Sequence, residues 1–133
     1  MKCVDTTFLI DLLRDDEGAV EKAKELDEFG VTITTEINVF ELVFGIHRSK
    51  SVNHKKRLKE AEMLFSRLNI FPFDHASAIK AGAILGELVR KGMAIDSLDG
   101  MVAAIALTHG CNVIVTRNVK HFERIEGIAA EGY

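Results

Sequence analysis

Asp5, Glu41 and Asp99 lie far apart in the chain, and each stands where the local pattern sets a carboxylate against apolar residues. Asp5 closes the run Lys2-Cys3-Val4 and is followed at once by Thr6 and Thr7. Glu41 interrupts Phe40, Leu42, Val43 and Phe44, and Asp99 opens the nearly all-apolar stretch Met101 to Leu107. A carboxylate withdrawn from water needs a counter-charge, and a divalent cation supplies one. Three such groups gathered together would suit metal-assisted hydrolysis. Asp96, three residues before Asp99, is read as a helix cap or a support for the site. Asn118, in Thr116-Arg117-Asn118, could offer a neutral oxygen to a metal or its water.

Other chemistries find little support. The five histidines, His47, His54, His75, His109 and His121, lack zinc spacing, and Cys3 and Cys111 do not join them. Oxygen ligands favour Mg²⁺ or Mn²⁺. No glycine-rich phosphate loop, nucleotide fingerprint or Ser-His-Asp arrangement is present. The two cysteines are read as small reduced core residues.

The acids need a scaffold that brings distant segments together. Short β-favouring runs at 2–5, 31–34, 69–73, 112–116 and 127–130 alternate with segments of helical period. The helices are expected at Thr7–Arg14, Glu17–Glu28, Thr35–Arg48, Asn53–Leu68, His75–Lys91 and Leu98–His109, with a short turn at Val119–Phe122. Alternation of this kind predicts an α/β fold with a parallel sheet covered on both faces. In such sheets ligands gather beyond the carboxyl ends of the strands, where strand order reverses. Asp5 and the Thr34-Thr35 and Thr116-Arg117-Asn118 turns all belong at that edge.

With 133 residues, 47% hydrophobic and 28% charged, the chain suits a single domain spanning 1–133. Asp, Glu or Gly interrupts each apolar run before it reaches membrane-spanning length, and the start lacks a leader pattern, so a cytoplasmic protein is expected. A net charge of −3 gives no global attraction to nucleic acid. One local patch could do so: from His47 to Lys59 the chain has no acidic residue.

Four blocks resemble the PIN-domain ribonucleases, most closely the VapC-like toxins of toxin–antitoxin pairs. They are Asp5 to Arg14, Glu41-Leu42-Val43-Phe44-Gly45, Asp99 to Ala104, and Val115 to Phe122, in the family's order. The resemblance implies a three-layer α/β/α sandwich with a central parallel sheet of about five strands, Mg²⁺- or Mn²⁺-dependent endoribonuclease activity, a homodimer and an inhibitory antitoxin. Carried over, it makes Asp5, Glu41 and Asp99 the catalytic and metal-holding acids. Asn118 and His121 stand where many relatives have acids. On this reading Thr6 and Thr116 steady the carboxylates, Asp96 and Asn118 support the site, and Arg48, Lys55, Lys56, Arg117 and Lys120 hold RNA phosphates. The alternatives are a PIN-like module that binds RNA or protein without turnover and, more remotely, a receiver domain with its acidic pocket.

Overall fold

The computed structural model describes all 133 residues. In chain order the elements are β1 (Lys2–Val4), α1 (Thr6–Leu13), α2 (Glu17–Phe29), β2 (Thr32–Thr35), α3 (Glu36–Arg48), α4 (His54–Phe65), β3 (Asn69–Phe71), α5 (His75–Arg90), α6 (Ser97–Thr108), β4 (Val113–Val115), α7 (Val119–Phe122) and β5 (Ala129–Glu131). All five strands pair in parallel, in the order β3-β2-β1-β4-β5. The chain builds one half of the sheet outward from β1, then returns to build the other. The order therefore reverses between β1 and β4, which opens a crevice at their carboxyl ends.

The strands alternate between two cores. Cys3 and Ile114 face a cluster with Leu88, Val102, Ala103, Ala106 and Phe122, beneath α5, α6 and α7. Val4 and Val115 face the opposite way, onto Phe8, Leu9, Leu26, Leu42, Ile46 and Phe65 from α1 to α4. Side chains of adjacent strand residues point to opposite faces, so short strands can serve two helical layers. Burying each Leu, Ile, Val or Phe contributes roughly 1.5–3 kcal/mol by transfer alone. Both cysteines are free and buried. No helix is long and apolar enough to cross a membrane.

Element ends differ from the sequence reading where a cap or a missing donor decides them. The strand expected over 69–73 stops at Phe71, because Pro72 has no N–H to continue the ladder. Asp5, read as the last residue of the strand, leaves it and caps α1, its Oδ1 accepting from Phe8 N at 3.2 Å. Thr35 is likewise a cap and not the first helical residue: it forms a reciprocal capping box with Asn38.

Candidate active site

Three elements present the acids. Asp5 follows β1, Glu41 lies midway along α3, and Asp99 is in the first turn of α6. Asp5 is 3% exposed, and the Asp99 side chain is 16% exposed. Glu41 is half-buried. Phe40 and Phe44 do not enclose it as the sequence suggested; both lie on the outside of α3, more than half exposed.

Each of the two best-held carboxylates is gripped by threonine hydroxyls. Thr7 Oγ1 donates to Asp5 Oδ1 at 2.7 Å, and Thr116 Oγ1 donates to Asp5 Oδ2 at 2.5 Å. Thr6 Oγ1 donates to Glu41 Oε1 at 2.7 Å. Every one of these hydroxyl oxygens also accepts an N–H. Thr7 takes it from Arg117 N at 3.0 Å, Thr116 from Asn118 N at 2.9 Å, and Thr6 from the Asn38 side-chain amide at 3.0 Å. With an acceptor position filled, each O–H is directed at its carboxylate, which favours the ionised acid.

Asn38, fully buried, escaped the sequence reading. Its Oδ1 accepts from Thr35 Oγ1 at 2.7 Å while its Nδ2 holds Thr6, so the cap of α3 is wired to Glu41 through two side chains. Thr7, Asp11 and Tyr133 also went unrecognised. A hydroxyl four residues before an acid on one helix, Thr7 and Asp11, was the available signal.

Asp96 is exposed and caps α6 through Leu98 N at 2.9 Å. Asn118 precedes α7 and makes no side-chain capping bond. Lys120, Arg48, Lys55 and Lys56 are exposed. Arg117 is exposed as well, and its guanidinium pairs with Asp11 and, at 3.4 Å, with Asp16.

The electrostatics are those of crowded, unneutralised acids. Burial, then the charges of Asp96, Asp5 and Glu41, push the Asp99 carboxyl up to about 7. Burial raises Asp5, opposed by the hydrogen bonds from Thr116 and Thr7. Burial also raises Glu41, against the pull of Thr6 and with the charges of Asp96 and Asp5 adding to the rise. No Lys or Arg pairs with any of the three; the nearest cationic candidate is His121, whose Nδ1 lies 3.9 Å from Asp99 Oδ2. A hard divalent cation fits this donor set in charge and in ligand type. The side chains do not form a ready coordination shell: no group of three or more His, Cys, Asp or Glu stands close enough for that.

A sequence model of the PIN domain matches residues 2–128. The chain is 32% identical over 130 residues to the tRNA(fMet)-specific endonuclease VapC of Salmonella typhimurium, covering 98% of this chain and 96% of that one. It is 32% identical over 126 residues to ribonuclease VapC1 of Rickettsia felis, covering 94% and 90%. Among solved structures, DNA-bound VapBC from Salmonella typhimurium superposes with a TM-score of 0.85 at 30% identity, over 98% of this chain and 96% of that one. VapBC2 from Rickettsia felis, bound to a fragment of promoter DNA, does so with a TM-score of 0.88 at 22% identity, over 99% and 98%, a likeness of fold. A match over this span, with the acids at the carboxyl edge of a five-stranded parallel sheet, places the chain in the PIN domain family.

Proposed function

We propose that this protein is a divalent-metal-dependent endoribonuclease, working in the cytoplasm as the toxin of a toxin–antitoxin pair. The observation that carries the reading is a group of mutually repelling carboxylates, without a basic partner, at the crevice of a PIN-domain sheet. The ribonuclease names of its relatives support RNA as the substrate.

Asp5 and Asp99 would hold the Mg²⁺ or Mn²⁺ ion, with Glu41 binding it or orienting its water. Bound there, the ion would lower the pKa of an attacking water and offset charge building on the phosphorus oxygens. Thr7 and Thr116 fix both oxygens of Asp5, so its lone pairs are aimed before any ligand arrives. Thr6 does the same for one oxygen of Glu41. Asn118 is free to steady a water or a phosphate oxygen without adding negative charge. Arg48, Lys55, Lys56 and Lys120, all exposed, would hold flanking phosphates and make binding weaken with salt.

Two protein partners belong to the proposal. The structural neighbours are VapBC complexes, which supports a cognate antitoxin. A second copy of this chain is suggested by α3. Glu36, Phe40, Phe44 and Arg48 recur at intervals of four and form one surface ridge, with Phe40 and Phe44 stacked at 5.8 Å. Two such ridges meeting antiparallel would bury the aromatic centre and set each Glu36 opposite the other copy's Arg48.

A module that binds RNA without cutting it is favoured by one observation, the absence of a preassembled three-ligand cluster. Incubating purified protein with RNA across a Mg²⁺ or Mn²⁺ titration separates the readings. The nuclease produces new RNA ends, loses cleavage in EDTA and regains it on metal addition. An Asp5→Asn protein that cleaves as fast as its parent would overturn the assignment.

A further inference from the structure

Arg117 grips α1 at two points one turn apart. Its main-chain N–H donates to Thr7 Oγ1 at 3.0 Å, and its side chain pairs with Asp11. Thr7 in turn donates to Asp5, the cap of the same helix. The residue is therefore tied to the buried carboxylate by one intervening hydroxyl, and to the helix behind it by an ion pair.

Tyr133 completes the arrangement. Its hydroxyl donates to Asp11 Oδ2 at 2.5 Å, and its ring lies 5.0 Å from the Arg117 guanidinium carbon. The ring also meets Phe8 edge-on, at 5.2 Å and 88°. Phe8 is the residue whose N–H caps onto Asp5. The adjoining strand is anchored separately: Glu131 accepts from Lys2 and Lys22, and Thr116 N donates to Glu131 O at 2.9 Å. Tyr133 thus sits at the end of a held strand and closes over α1.

We propose that Asp11, Arg117 and Tyr133 form a latch that sets the angle of α1 against the tip of β4 and so fixes the orientation of the Asp5 carboxylate. The three are positioning residues, acting through Thr7 and Phe8, and none reaches the reacting atoms. Arg117 on this account does not serve as a phosphate contact. Asp11, neutralised by Arg117 and bonded by Tyr133, stands outside the acidic group that would take a cation. The geometry requires the latch to matter for how well Asp5 is aimed and little for how tightly RNA is held.

The proposal rests on the nuclease reading for its kinetic test and is independent of it for its structural one. Tyr133→Phe removes only the hydroxyl, and Arg117→Lys keeps the charge while losing the planar fork. Each is expected to lower kcat by up to about 10-fold, the lower end of the cost of removing a direct partner of a ligand residue, because both act on Asp5 through Thr7 and Phe8. KM for RNA and the salt dependence of binding should stay at the parental values. A raised KM with unchanged kcat in Arg117→Lys would make Arg117 a phosphate contact and overturn the latch.

Amide hydrogen exchange, measured without RNA or metal, gives the second arm. In both variants the amides of Phe8 and of position 117 should exchange severalfold faster than in the parent, with Ile114 in the core unchanged. Equal acceleration at all three amides, or none, overturns the proposal. If the parent cleaves no RNA at all, the nuclease reading fails, and the exchange result alone decides the latch.

Discussion

Threonine does at this site what charged residues do elsewhere. A lysine beside Asp5 would neutralise it permanently and leave nothing for a cation to do; the hydroxyls of Thr7 and Thr116 orient the carboxylate and leave its charge intact. Replacing Thr116 with Val leaves Asp5 Oδ2 without its donor, and cleavage should fall by about 10- to 100-fold, as judged by initial rates at saturating metal. The acid whose pKa is pushed to about 7, Asp99, yields a prediction on stability. In the unfolded chain it titrates near its ordinary 3.8, so the metal-free fold holds that proton more tightly than the unfolded chain does. Stability conferred through this group is therefore greatest at low pH and declines as pH rises from 3.8 to about 7. Calorimetry in EDTA should show Tm falling across that window in the parent and a flatter profile in Asp99→Asn. Added Mg²⁺ or Mn²⁺ should raise the parent's Tm at neutral pH, by mass action on the folded form.

Helix α6 shows how an element carries a site residue by being small. Gly100 is buried beside Asp99, and a Cβ placed there would lie 2.6 Å from Leu85 Cγ of α5. Ala103, Ala104 and Ala106 continue the thin helix down to the sheet. Gly100→Ala should cost about 1–3 kcal/mol, measurable as a lowered denaturation midpoint, because Leu85 must be displaced at its branch and not merely at its tip. Much at this scale was readable from pattern alone. Apolar periodicity found six of the seven helices, α7 being read as a turn, and short β-favouring runs found the five strands. What periodicity could not do was choose which apolar stripe of α3 turns inward: Leu42 and Ile46 are buried, while Phe40 and Phe44, equally apolar, face out. Nor could it find Asn38, an amide in the first turn of a helix whose value depends on Thr6, 32 positions away. Asp11 and Tyr133 were hidden for the same reason, since a tyrosine and an acid 122 residues apart have no common local signature.

At the scale of the whole molecule, the family's architecture was recoverable because four sequence blocks map onto the carboxyl ends of β1 and β4, the middle of α3 and the start of α6. The outer surface was less so, since nothing in a single chain says what an exposed aromatic ridge is for. The proposed pairing of α3 predicts that Phe44→Glu, which brings two like charges together across the twofold, converts a dimer to a monomer in sedimentation at micromolar concentration. The fold of the variant should survive, as Phe44 is already in solvent within one chain. The hydrogen bond from Thr116 to Asp5 spans 111 residues, and both central strand pairings of β1 depend on partners made later in the chain. A ribosome that has assembled the first hundred residues holds every carboxylate of the crevice, but Asp5 then has only Thr7 and Phe8 on one oxygen and lacks Thr116 on the other. The hold on both oxygens of Asp5 is in this way completed only when elongation is nearly done, by topology alone.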